Sequence, residues 1–92
     1  MIAIRIPDAL RDLANGADNV AVEGSNVREA LAELGERHPQ ITPKILDYSG
    51  NIRRWVNIYA DAEDIRFLEN METELSSGSE LLIVSPPVEV QP

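Results

Sequence analysis

The chain opens with an alternation of apolar and polar residues. Ile2, Ile4 and Ile6 are β-branched residues spaced two apart, which places them on one face of a predicted strand. Pro7 ends this strand because proline has no backbone N–H to donate to a sheet. The short apolar run at residues 20–22 is expected to pair with it. The first quarter of the chain therefore predicts a β-hairpin with a loop longer than a tight turn.

Helical periodicity follows the hairpin. Asn26 provides an N-cap, and Glu29, three residues on, completes the pattern of a capping box. Pro39 stops the helix, which predicts one amphipathic helix of about 12 residues, and a shorter helical turn is expected within residues 41–46. The apolar stripe of the main helix lies at i, i+3, i+4 and i+7 and consists of Val27, Ala30, Leu31 and Leu34.

Strand patterns return in the second half. Residues 55–60 alternate, and a turn at Asp61-Ala62 leads to a predicted strand at 63–68, although alanine at positive φ costs about 1 kcal/mol. A last strand is predicted at 80–84. The two faces of the first of these strands carry Val56, Ile58 and Ala60 on one side and Trp55, Asn57 and Tyr59 on the other.

The order of elements is strand, strand, helix, strand, strand, strand. A single helix with one apolar stripe covers one face of a mixed sheet in such an arrangement. The predicted fold class is therefore α+β, a ubiquitin-like β-grasp with four to five strands packed on one main helix. A chain of 92 residues is long enough for one hydrophobic core. Residues 1–84 are assigned to this domain and residues 85–92 to an extended C-terminal tail.

The charge of the chain limits its partners. The chain has sixteen acidic and eight basic residues, which gives a formal net charge of −8. Nucleic acid and anionic membranes are therefore excluded as partners, and a basic protein face is expected. No apolar run approaches the roughly 20 residues that span a bilayer, and the chain contains no cysteine. These features are typical of a cytoplasmic protein.

No set of residues indicates catalysis. His38 is the only histidine, and its position beside Pro39 favours a helix C-cap. Asp61, Glu63 and Asp64 cluster at a turn, but they lack the central glycine and distal glutamate of a calcium loop, so a solvated turn is the better interpretation. The glycines form no phosphate-binding loop. The chain is accordingly predicted not to be an enzyme and to have no cofactor, metal site or catalytic residue.

If Val56, Ile58, Leu81 and Ile83 point into the core, the residues between them point outward. Trp55, Tyr59, Leu82 and Val84 would then form an exposed apolar patch beside the strand that runs into the tail. The alternative is that arginine stems or the tail itself cover this patch. Arg53-Arg54 is too small a basic cluster for nucleic acid, which favours contact with a protein.

Several segments resemble a known family. Val56-Asn57-Ile58-Tyr59, residues 63–68 and residues 78–86 resemble the MoaD/ThiS family of ubiquitin-like sulfur carriers, and its CysO-type branch most of all. The strand opening and the helix start at Gly24-Ser25 fit the same pattern. The resemblance implies a β-grasp fold whose tail ends in Gly-Gly. In that family an adenylyltransferase activates the terminal carboxylate, and the resulting thiocarboxylate feeds molybdopterin, thiamine or cysteine biosynthesis.

The tail departs from the family pattern. No glycine occurs after Gly78. Aligning Pro86 with the family's proline places Val90 and Gln91 at the diglycine position, with Pro92 beyond. Glycine has no Cβ and lets a terminal backbone enter a narrow channel, which valine and proline do not. The expectation is a degenerate carrier that forms no thiocarboxylate.

The leading hypothesis is a sulfur-carrier-like protein that acts as a bound partner in sulfur transfer. Its partner would be an adenylyltransferase-like activating enzyme or a biosynthetic enzyme subunit. The alternative is a non-catalytic interaction module whose extended tail pairs with a partner's sheet edge or with another copy of itself. The predicted partner-binding residues are Trp55, Tyr59, Phe67, Leu82, Val84, Pro86, Pro87, Val88, Val90, Gln91 and Pro92.

Overall fold

The structure, a computed structural model, describes residues 1–85. Most of the predicted tail, residues 86–92, lies outside the described residues. The longest described helix has 11 residues, so none of the helices in this part of the chain is long enough to cross a membrane. The strands are β1 (Ile2–Arg5), β2 (Asn19–Val22), β3 (Asn57–Ala60), β4 (Glu63–Asp64) and β5 (Glu80–Val84), and the helices are α1 (Val27–Arg37) and α2 (Thr42–Ile45).

The five strands form one mixed sheet in the order β2-β1-β5-β3-β4. The central pair, β1 and β5, is parallel, and all other neighbours are antiparallel. Parallel strands need a long crossover, and α1 lies within the chain that connects β1 to β5. This arrangement confirms the predicted β-grasp with its single main helix.

One face of the sheet, called the inner face below, is closed by α1. Ile4, Ile58 and Leu81 lie on three adjacent strands, and all are at most 1% exposed. The helix contributes the predicted stripe, and each member of it is buried. Alternation within the strands thus separates a dry inner face from an outer face that no helix covers in this part of the chain. The helical side of the core consists of Val27, Ala30, Leu31 and Leu34.

The start and end of α1 follow the sequence prediction closely. The Asn26 side chain accepts a hydrogen bond from the Glu29 N–H at 2.9 Å. The Glu29 carboxylate accepts from the N–H of Ser25 at 2.8 Å, one residue before the cap. His38 is the C-cap, as predicted, and its N–H donates to the Leu34 carbonyl at 2.8 Å. Both ends of the helix therefore have partners for otherwise unpaired backbone groups.

A glycine inside α1 has a packing reason. Glycine in a helix costs up to about 1 kcal/mol relative to alanine, yet Gly35 lies in the last turns of α1. A Cβ at this position would collide with the Thr42 hydroxyl oxygen. Since Thr42 begins α2, Gly35 lets the two helices pack closely. The predicted helical turn within residues 41–46 is thereby confirmed, and Pro43 lies in its first turn.

The strand predicted at residues 63–68 is confirmed only for its first two residues. Only Glu63 and Asp64 pair with β3, and Ile65–Phe67 forms a 3-10 helix. The cause is the Asp64 side chain, which accepts a hydrogen bond from the Arg66 N–H at 2.9 Å and caps that turn. The turn buries Ile65 in the core. A local side-chain bond therefore replaces the sheet pairing.

Three other elements differ from the prediction. Trp55 precedes β3 and lies in a turn in which the Val56 N–H donates to the Arg53 carbonyl at 3.0 Å, so the strand begins at Asn57. The sequence analysis assigned no element between β1 and β2, where a 3-10 helix spans Asp8–Ala14 and buries Leu10. A second unassigned 3-10 helix spans Asn70–Glu72.

Candidate docking surface

The outer face of the sheet presents a row of side chains that crosses four strands. Arg5 on β1 is in register with Leu82 on β5, Leu82 with Tyr59 on β3, and Tyr59 with Asp64 on β4. Directly paired residues point to the same face, with Cβ atoms about 5 Å apart. The row therefore has two large apolar side chains at its centre and a charged side chain at each end.

The central residues of this row are exposed apolar groups. Leu82 and Val84 are each 40% exposed, whereas Leu81 and Ile83, which alternate with them along β5, are at most 1% exposed. Tyr59, directly opposite Leu82, is half-buried. The structure thus brings together three of the predicted partner-binding residues. Below, "outer patch" means Tyr59, Leu82, Val84 and the nearby Trp55.

Trp55 lies at the end of the sheet where β5 finishes. Val84, the last residue of β5, is paired with Asn57 at the start of β3, two residues after Trp55. The indole is 54% exposed. The Arg53 guanidinium lies over the ring, 5.7 Å from its centroid, in a cation–π contact. The guanidinium of one arginine therefore lies against the ring, while about half of the Trp55 surface stays accessible.

Phe67 is separated from the outer patch. It lies in the 3-10 helix after β4, is 87% exposed, and lines a shallow depression with Leu68, Thr73 and Glu74, none of which belongs to the sheet. Phe67 is one of the predicted partner-binding residues, and its role in binding stays a prediction. The remaining predicted partner-binding residues, which are Pro86, Pro87, Val88, Val90, Gln91 and Pro92, lie outside the described residues.

Ion pairs flank the outer patch on both sides. Arg5 is 3.5 Å from the Glu80 carboxylate on one side. On the other, the Arg66 guanidinium donates to both oxygens of Asp64, at distances that include 2.8 Å. Hydrogen bonds from the Arg66 side chain and backbone hold the pKa of Asp64 below its ordinary value. Asp64 is therefore expected to stay ionised beside Tyr59 in mildly acidic solution.

Two acidic side chains of the turn between β3 and β4, those of Asp61 and Asp64, are engaged in contacts within the chain. The Asp61 carboxylate accepts a hydrogen bond from the Glu80 N–H at 3.0 Å, and the Asp61 N–H donates to the Glu80 carbonyl at 2.9 Å. Asp64 is occupied by Arg66. Among residues 1–85, no group of three or more acidic or histidine side chains is arranged to hold a metal ion. The turn ties β3 and β4 to the start of β5.

Sequence reasoning missed an open groove next to the outer patch. Its volume is about 440 Å³, and it lies between the start of β3 and the segment that follows β4. Only the pair Arg53-Arg54 hinted at it in the sequence, because the other basic residues come from distant positions. The charged residues that line it are Arg28, Arg53, Arg54, Arg66, Glu69 and Glu72.

Comparisons with known proteins give one consistent result. The model of the ThiS family matches residues 4–88. The sulfur carrier protein CysO of Mycobacterium tuberculosis is 28% identical over 85 residues, which cover 90% of this chain and 91% of CysO. A putative sulfur carrier protein of Archaeoglobus fulgidus is 28% identical over 83 residues, with the same coverages. A chain from the crystal structure of the Amycolatopsis orientalis BexX/CysO complex superimposes with a TM-score of 0.88 at 28% identity, covering 99% of this chain and 100% of that one.

Proposed function

Because the chain belongs to the ThiS family, we propose that it is a sulfur-carrier-like protein that acts as a bound partner in sulfur transfer, and that a partner enzyme binds it through the outer patch. The observation that carries this proposal is the exposure of Leu82 and Val84 on a strand whose alternate residues are fully buried. Exposed apolar groups on a sheet face cost solubility and favour a protein contact. The same strand leads directly into the C-terminal tail.

The kind of partner is inferred from a relative. CysO of Amycolatopsis orientalis is found in a complex with BexX. A protein of this family that is bound as a substrate needs no catalytic residues of its own. The partner of this chain is therefore proposed to be an activating adenylyltransferase or a biosynthetic enzyme. Its docking site would combine an apolar centre with basic groups that meet the acidic chain.

Substitution within the outer patch tests the docking surface. Leu82→Glu places a charge at the centre of the row and is expected to weaken binding to an adenylyltransferase of the ubiquitin-activating type by about 100-fold, measured by titration calorimetry. Ala32→Glu is the matched control, since Ala32 is exposed on α1, on the other side of the sheet. Equal binding by the two variants would remove the outer patch from the proposal.

The chemistry of the tail is tested separately. Val90 and Gln91 at the diglycine position remain a prediction, because both lie outside the described residues. The chain is incubated with ATP, sulfide and the adenylyltransferase, and its intact mass is measured. We expect no exchange of a terminal oxygen for sulfur, since valine, glutamine and proline obstruct a narrow channel. A thiocarboxylate product would show that the chain is a functional sulfur carrier. That result would not affect the proposal that a partner docks on the outer patch.

A further inference from the structure

The groove beside the outer patch has a charge opposite to that of the chain. Four arginines line it against two glutamates, so its lining is basic. Outside the groove lining, the chain has four basic residues and fourteen acidic ones, so the rest of the chain is strongly acidic. At physiological salt the Debye length is about 8 Å, so distant acids are screened while the lining arginines act at close range. A ligand in the groove therefore meets a local positive field.

Two of the four arginines are already neutralised. Arg28 donates to the Glu72 carboxylate, with its Nε at 2.9 Å. Arg66 is paired with Asp64. Much of the charge of these two side chains is balanced by a carboxylate, so they do not by themselves call for a ligand.

Arg53 and Arg54 have no carboxylate partner among residues 1–85. Every other arginine in the chain forms an ion pair, although acids outnumber bases two to one. Arg53 is nonetheless held in place, because its Nε donates to the Pro43 carbonyl at 2.8 Å and its guanidinium rests on Trp55. Arg54 is exposed. Arg53 therefore offers oriented N–H donors suited to a carboxylate, and Arg54 adds an exposed guanidinium beside it in sequence.

The floor of the groove is apolar. Val56, Ile58 and Ile65 are buried beneath it, and the partly buried Ile52 and Met71 line it. A floor of this kind accepts an apolar side chain, while the arginines bind acidic groups on either side. The volume of about 440 Å³ holds only a few side chains. This combination fits an acidic peptide segment with one apolar anchor better than it fits a bare small anion.

We propose that this groove binds an acidic segment of a protein partner, with Arg53 and Arg54 as its charged contacts. Asn57 lines the groove and is also paired with Val84 of the outer patch. Since Val56 and Ile58 point to the inner face, a partner on the outer patch would have to extend past Asn57 to reach the groove. The proposal uses the existence of a protein partner from the proposed function, but its test does not require that partner.

The test uses a synthetic peptide and 15N-labelled chain at physiological salt. A capped Glu-Glu-Leu-Glu-Glu peptide is titrated while the backbone amide and arginine Nε resonances are followed. We expect saturable shifts at Arg53, Arg54, Asn57 and Met71. The counterpart with glutamine in place of each glutamate is expected to cause none. No shifts at the groove, or equal shifts with both peptides, would overturn the proposal.

Variants and other anions define the ligand class. The double variant Arg53→Gln with Arg54→Gln should bind the acidic peptide at least about tenfold more weakly. Arg5→Gln with Arg37→Gln removes the same charge outside the groove lining and should bind as the unmodified chain does. Equal loss in both double variants would reduce the effect to net charge and contradict the proposal. Equal saturable shifts from inorganic phosphate or from a single-stranded oligonucleotide would also contradict it.

Discussion

The two faces of β5 carry almost the same residues and have different roles. Leu81 and Ile83 on the inner face are at most 1% exposed, while Leu82 and Val84 on the outer face are each 40% exposed. Strand alternation alone makes this division. The inner pair stabilises the fold, and the outer pair contributes less because part of its surface stays in water. Apolar character in a strand therefore indicates a core only when the side that the helix covers is known.

The largest effect that tests this comparison comes from two neighbouring leucines. Leu81→Ala should lower the free energy of unfolding by about 2–5 kcal/mol, because it leaves a cavity in the core. Leu82→Ala should lower it by about 1 kcal/mol, since the side chain is partly solvated. Denaturant unfolding measures both values. Equal losses would contradict the assignment of the two faces.

A smaller effect is expected where the inner face meets α1. Asn26→Ala removes the side-chain acceptor of the Glu29 N–H and should cost about 1 kcal/mol. Asn26→Asp keeps an acceptor in place and serves as the control. Thermal unfolding of both variants measures the difference. An unchanged midpoint in the alanine variant would show that the cap does not stabilise the helix that covers the core.

A substitution in the turn between β3 and β4 is expected to increase the free energy of unfolding by a similar or smaller amount. Asp61 and Ala62 have φ values of 48° and 75°, in the left-handed region that disfavours a Cβ. Ala62→Gly should raise the free energy of unfolding by up to about 1 kcal/mol, because relief of strain exceeds the added entropy of the unfolded chain. Ala32→Gly, in the middle of α1, should have the opposite sign. A destabilised Ala62→Gly variant would contradict the strained turn.

The smallest effect is the pH dependence of stability that arises from Asp64, at the edge of the outer face. Arg66 lowers the pKa of Asp64 from its ordinary value of 3.8. A lowered pKa in the folded state adds stability above the unfolded pKa, and this contribution disappears as pH falls through the folded value. Arg66→Gln should raise the pKa of Asp64, measured by carboxyl NMR titration, while Arg5→Gln should leave it unchanged. An unaltered pKa in Arg66→Gln would contradict the proposed cause.

Much of the fold could be predicted from the sequence. The isoleucine alternation of β1, the stripe of α1 and the final strand all agree with the structure, because burial on one face imposes a period that can be read directly. The strand predicted at 63–68 ends after Asp64 for a specific reason. Asp64 caps a 3-10 turn, and this local bond outweighs the strand propensity of Ile65 and Phe67.

The outer patch could be predicted in part, whereas the groove could not. The alternation of side chains along β3 and β5 is enough to place Tyr59, Leu82 and Val84 on one face of the sheet. The groove depends on Arg28 and Arg66 meeting Arg53, which requires the packing of α1 and the chain after β4. Residues separated in sequence by dozens of positions leave no local pattern.

The central claim is that a partner binds the outer face of the sheet. The most direct measurement is a map of backbone amide signals in 15N-labelled chain upon addition of the adenylyltransferase. We expect the signals of Tyr59, Leu82 and Val84 to shift or broaden first, while those on the exposed side of α1, such as that of Ala32, remain unchanged. Changes confined to α1, with the outer patch unaffected, would contradict it.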